Sequence, residues 1–239
     1  LGGFLAASSL YLPVYIQTAV LLFSIPIAFS IIEPSLQKDN KIERSFNAVI
    51  NIIRETFFQF NKLKWLIIFS ACMGVATLSI AWFCQPFFQS IGIPIVYFGV
   101  IWSVLNLSVG LTSFNSYIIE QRIKPINIML LLSILMPLCF FLLAYYNSLL
   151  SLLFILIIYL LRGIITPILR NYININTTSD KRATVLSIRS FIIRISFAIT
   201  APFLALVSDH TSLTYSFYVL GLFVAFFSLL SVYKLSKLY

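Results

Sequence analysis

The chain has 239 residues, 60% of them hydrophobic and 10% charged, with a mean hydropathy of +1.01. A soluble domain is nearer half apolar and a quarter charged, so this composition excludes one and points to an integral membrane protein. The net charge of +9 does not call for nucleic acid, because most of the cations lie between the apolar runs, where basic residues set the orientation of a membrane protein.

The apolar runs reach about 20 residues, the length that carries a helix across about 30 Å of hydrocarbon. They lack the strict alternation of barrel strands, so the expectation is an all-α membrane bundle. The chain opens on Leu1-Gly2-Gly3-Phe4 without a basic n-region or a cleavage-site pattern, so the opening is not a signal peptide. It reads as the middle of a helix. Residues 1–33 are therefore expected to hold the end of one span and one complete span, with the start of a longer protein missing.

Tyr11-Leu12-Pro13 reads as a turn, and the first complete span as Val14 to Ile32, stopped at Glu33-Pro34 because proline cannot continue a helix and restrains its predecessor. Residues 34–63 form the one long polar connection, with Lys38, Lys41, Arg44, Arg54 and Lys62. In its second half Phe46, Val49, Ile50, Ile53, Phe57 and Phe60 recur at helical spacing. That pattern fits a helix lying in the membrane interface, or one packed on the ends of the bundle.

Residues 64–239 read as a six-helix bundle. Its spans are predicted at 64–86, 96–118, 127–146, 149–170, 184–207 and 213–233, with Asn147-Ser148 as a tight turn. The connections alternate. Those holding Arg122 and Lys124, Lys181 and Arg182, and the tail with Lys234 and Lys237, are basic; those between them carry no Lys or Arg. The alternation places the C-terminus and the long connection in the cytoplasm.

Four spans carry stripes of small and polar residues at four- and three-residue spacing. Ser70, Gly74, Thr77, Ala81 and Gln85 mark the second span; Gly99, Ser103, Asn106, Gly110, Ser113 and Tyr117 the third. Arg162, Thr166 and Arg170 mark the fifth, and Ser187, Ser190, Arg194, Ala198, Ala201 and Ala205 the sixth. Such stripes let helices approach closely or line a wet cavity. These four spans are expected to be interior, and the more uniformly apolar fourth and seventh peripheral.

Arg162 and Arg194 stand out because they fall well inside their apolar runs. A central arginine costs a few kcal/mol on insertion scales, so it faces protein or water. Reaching out to the headgroups suits Arg170 and Arg189, near their helix ends, better than it suits these two. No Asp or Glu lies at their depth; Glu120 and Asp209 are at helix ends. Cys72, Cys84 and Cys139 fall in apolar runs without metal spacing, and His210 is the one histidine. No metal or cofactor is implied.

Several stretches resemble the major facilitator superfamily. They are GGFLAASSLYLPVY and Glu33-Pro34 around the first span, Arg162-Gly163 and Asn174, and Arg182-Ala183-Thr184-Val185-Leu186-Ser187. The likeness is to a bacterial, drug- or tetracycline-resistance-like group. It implies the C-terminal six-helix half of that fold plus the preceding span, partnered by the missing N-terminal half. It also implies a multi-pass protein of the bacterial inner membrane that moves a small organic solute, by efflux or uptake. The second and fifth spans would then flank a central cavity, the third and sixth would pack between the halves, and the first, fourth and seventh would be peripheral. The Glu120-Gln121-Arg122-Ile123-Lys124 connection departs from the loop signature of that family, which has a glycine and paired basic residues.

The residues expected in the cavity or its gate are Gln85, Asn106, Arg162 and Arg194, with Trp82 as an apolar wall. The arginines would attract an anionic group or hold an inner gate closed. Two other classes remain: a membrane-embedded enzyme acting on lipid phosphates, and a non-transporting receptor or inert truncated protein. The first of these asks for clustered acids with a metal, or a His/Asp pair.

Overall fold

The computed structural model describes residues 11–30, 60–179 and 181–238, together with Leu5, Ser8, Ser9 and Arg54. All the regular structure among them is helical. We number the helices α1 (Leu12–Leu22), α2 (Ser24–Ser30), α3 (Asn61–Ser90), α4 (Ile95–Arg122), α5 (Pro125–Tyr146), α6 (Ser151–Ile175), α7 (Arg182–His210) and α8 (Leu213–Ser236). With α1 and α2 taken as one interrupted span, seven are long and apolar enough to cross a membrane, which makes the chain a multi-pass membrane protein. The Glu33-Pro34 stop and nearly all of the 34–63 connection lie outside the described residues.

The helix ends follow local chemistry rather than hydropathy. The predicted single helix 14–32 is interrupted at Phe23. Pro26 has no N–H to give the carbonyl of Leu22, which loosens the ladder there. Pro86 does not stop α3, which was expected to end there; α3 runs on to Ser90. The real stop is Gly92, at φ 78°. The amide of Gly92 donates to Gln89 O at 3.0 Å and that of Ile93 to Phe88 O at 2.9 Å, the paired closure that a left-handed glycine makes possible. The turn after α5 is as expected: Asn147 takes φ 38° and its amide returns to Leu143 O.

Helices α3 to α8 pack around α3, which contacts α8, α7 and α6 extensively and α4 slightly. Helix α5 lies against α8 and α6, and α4 against α6. By contrast, α6 and α7 scarcely touch. The core fills the space between α3, α5, α6 and α8, with Phe69, Phe87, Phe88, Phe140, Tyr159 and Phe217 fully buried. Edge-to-face pairs lock it, among them Phe87–Phe217 at 5.6 Å and Trp102–Tyr159 at 6.0 Å between centroids.

The expected sorting of interior and peripheral helices is corrected here. Buried residues make up 61% of the spanning stretch of α3 but only 17% of that of α4 and 6% of that of α7. Helices α5 and α8, expected to be peripheral, are about half buried, at 50% and 44%. The reason is that large apolar side chains on α5 and α8 interlock, whereas the polar stripes of α4 and α7 turn outward. Ser103, Asn106, Gly110 and Tyr117 are exposed, as are Ser187, Ser190, Arg194 and Ala198. Helices α1 and α2 bury no residue.

Close approach between helices depends on glycine at defined points. A Cβ on Gly163 would run into Thr112 Oγ1 and the backbone oxygen of Val109, so α6 sits directly on α4. Gly110, on the same helix α4, faces open space. Gly163→Ala is therefore expected to destabilise the bundle by about 1–3 kcal/mol, the usual cost of overpacking against a contact that cannot yield. Gly110→Ala should be neutral or slightly stabilising. Thermal unfolding in one detergent compares them, and equal midpoints for the two variants would remove the contact from the account.

Candidate functional site

The gap between α6 and α7, floored by α3, holds a cavity of about 620 Å³. From α3 it takes Gly74, Thr77, Leu78 and Trp82; from α6, Arg162 and Thr166; from α7, Arg189, Ser190, Ile193, Arg194 and Phe197. The spacing explains the lining. Gly74, Leu78 and Trp82 recur every fourth residue, as do Arg162 and Thr166, and as do Arg189, Ile193 and Phe197. Each helix thus turns one continuous face inward.

Helix length sets the depth of the charges. At 1.5 Å per residue, Arg162 lies about 20 Å from the C-terminal end of α6 and Arg194 about 18 Å from the N-terminal end of α7. Those two ends share one side of the bundle, joined by residues 176–181. Arg189 is shallower, about 10 Å in. Trp82 and Phe197, with ring centroids 6.4 Å apart, line the cavity farther from those two helix ends.

Each arginine is held differently. The Arg162 guanidinium lies over the Tyr159 ring, 5.6 Å from its centroid, a favourable placement for a cation on a π-face. Tyr159 is fully buried and packs on Trp102, so the platform is rigid. Arg189 donates from Nε to Ser70 Oγ on α3. Arg194 is exposed on the cavity side and makes no hydrogen bond or ion pair among the described residues. Gly74 lets α7 come near α3, since a Cβ there would meet Ile193 Cγ2 at 2.6 Å.

Of the five residues expected at the site, the structure brings Trp82, Arg162 and Arg194 into this cavity. Gln85 and Asn106 are exposed and do not line it; Asn106 donates from Nδ2 to Trp102 O at 2.8 Å, within its own helix. Helix α4 is kept from the cavity by its seat on α6. Arg189, which the sequence assigned to the headgroups, instead turns inward to Ser70. Its signal was available: it shares a helix face with Ile193 and Phe197, and Ser70 belongs to the polar stripe of α3. Among the described residues no group of three His, Cys, Asp or Glu could hold a metal ion. Cys72, Cys84 and Cys139 are free and buried.

The Arg189–Ser70 contact ties α7 to the hub helix at the edge of the cavity. A double-mutant cycle with Ser70→Ala and Arg189→Gln is expected to give a coupling of about 1–3 kcal/mol in thermal stability. Strictly additive effects would mean that the two side chains do not depend on each other. Comparison with protein-family models, with curated proteins and with solved structures finds no match for the chain.

Proposed function

We propose that the chain is the C-terminal half, with one preceding span, of a secondary active transporter of the major facilitator type, moving a small organic solute across a bacterial inner membrane. The observation that supports this most is the cavity: about 620 Å³ in volume, lined by Arg162, Arg189 and Arg194, and set between two helices that scarcely touch. A volume of this order suits a small-molecule site. Helices α6 and α7 can move relative to each other more readily than the interlocked α5 and α8.

In this reading the outward polar stripes of α4 and α7 meet the N-terminal half, and solute binds between the halves at mid-depth. Rocking of one half against the other then opens the site to each side in turn. The charge pattern gives the orientation. Among the described residues Lys62, Lys64, Arg122, Lys124, Lys181, Arg182, Lys234 and Lys237 fall at one end of the bundle, which we assign to the cytoplasm.

Two labelling experiments test the proposal on the full-length protein. Cys72, Cys84 and Cys139 are first replaced by alanine, and single cysteines are then introduced. Ser148→Cys should react with a membrane-impermeant maleimide in intact cells, and Ser179→Cys only after lysis; the reverse pattern would invert the orientation. Thr166→Cys, in the cavity, should react from both faces, in right-side-out and in inside-out vesicles. Reaction from one face alone would count against alternating access and favour a static site.

A further inference from the structure

We propose that the cavity between α3, α6 and α7 selects an organic anion, an oxyanion such as a carboxylate, sulfonate or phosphate carried on an aromatic-sized apolar body. The assignment rests on reading this cavity as the transport site and names the class of solute it takes.

Charge is the first argument. Three of the lining residues are arginines and none is Asp or Glu. The described acids are committed elsewhere or distant: Glu120 Oε1 accepts from Asn171 Nδ2 at 2.6 Å, and Asp209 lies at the far end of α7. Like charges gathered in a low-dielectric wall repel, and an anion between them relieves that repulsion. A cationic solute would add to it, so the same wall discriminates against cations.

Donor geometry is the second argument. Arg189 uses Nε on Ser70, which leaves its terminal N–H groups for a ligand. Arg162 is steadied by the Tyr159 ring, its Cζ 5.6 Å from the ring centroid, and its five N–H donors outnumber what that one neighbour can accept. Arg194 has no hydrogen bond or ion pair among the described residues. Guanidinium forks match the geometry of planar and tetrahedral oxyanions and hold them bidentately. Ser190 and Thr166 add hydroxyls on the same wall.

Apolar lining is the third argument. Beyond the arginines, Trp82 and Phe197 form a tilted pair at 6.4 Å, with Leu78 and Ile193 beside them. A small inorganic anion would leave this end unfilled. The cavity of about 620 Å³ has room for a fused-ring body with its charged group at the arginines.

The test uses the full-length protein in phosphatidylcholine nanodiscs and measures equilibrium binding, with empty nanodiscs subtracted. The probe is 1-anilinonaphthalene-8-sulfonate, and its neutral control is N-phenyl-1-naphthylamine, the same rings without the sulfonate. The unmodified protein should bind the sulfonate saturably and more tightly than the control. Removing charge in the double variant Arg162→Gln/Arg194→Gln should weaken the sulfonate by about tenfold or more and leave the control unchanged; Arg162→Lys/Arg194→Lys should recover much of the loss. Displacement by dissolved phenyl phosphate identifies a soluble anion as the source, and displacement by phosphatidylglycerol added to the disc a lipid headgroup; both sustain the oxyanion assignment. Equal binding of sulfonate and control by the unmodified protein overturns it, and that comparison needs no variant to fold. Unchanged sulfonate binding in the Gln variant, with its thermal midpoint intact, overturns it as well. Binding is read without flux, so failure here is separate from failure of the two-sided Thr166→Cys labelling.

Discussion

A guanidinium cannot remain solvated by hydrocarbon. Its transfer to the middle of a bilayer is costly enough that it must find water, a π-face or a hydrogen-bond acceptor. Arg162 and Arg194, both about a dozen residues into their helices, impose this constraint on the bundle. The response is the gap between α6 and α7. If those helices packed as α5 packs on α8, the two charges would be forced into a dry contact. Because they scarcely touch, the space becomes a cavity, and α3 packs against both helices and holds them apart.

That role requires α3 to be a hub with different chemistry around its circumference. Toward α8 it presents apolar packing and a weak Cys72 Sγ–Val224 O contact at 3.6 Å. Toward α7 it presents Ser70 and Gly74, one accepting from Arg189 and the other admitting Ile193. Small residues also set the approach elsewhere. Gly221 on α8 takes the edge of Phe141 from α5, where a Cβ would meet the ring at 2.6 Å. In a membrane, where lipid tails compete with apolar side chains, such close fits contribute much of the association. The interlocked contact of α5 with α8 lies away from the arginines, whereas α6 and α7 beside them scarcely touch, so the bundle is tight between one pair of helices and loose between the other.

Span number and the alternation of basic connections were legible in the sequence because hydrocarbon thickness and charge bias write directly into composition. Span ends were less legible, since hydropathy marks the stretch in hydrocarbon while a helix runs on until its capping chemistry stops it. Pro86 looked like a stop, but Gly92 supplies the left-handed residue that ends α3. The sorting of interior helices went astray for a related reason. A small-residue stripe records that a face meets something other than lipid, not that the partner lies within the same bundle. The stripe of α3 meets α7 and the cavity; that of α7 meets the cavity only at Ser190 and Arg194, and most of that of α4 is exposed. For the site, depth alone singled out Arg162 and Arg194. Depth misplaced Arg189, because a long side chain about 10 Å from a helix end reaches inward as readily as outward, and only its acceptor on α3 decides.

The uncovered side of the bundle follows from the same physics. Ser103, Asn106, Ser187, Ser190 and Arg194 are all exposed, and a lipid-facing surface does not carry such a row. Serine and threonine can satisfy themselves on their own helix, as Ser103 Oγ does on Gly99 O at 2.8 Å and Ser190 Oγ on Leu186 O at 3.0 Å. Those residues alone would tolerate lipid. Arg194 has no such recourse within its helix, since a guanidinium offers five donors, more than one spare lone pair on a ladder carbonyl can satisfy. Its exposure therefore requires water or protein over the mouth of the cavity. The serine stripes make that covering surface inexpensive to slide, because their hydrogen bonds stay within each helix whatever lies opposite. A polar face with internally satisfied hydroxyls around a charged pocket can release and re-form its contacts without stranding a buried donor. Movement across that face is therefore compatible with the membrane.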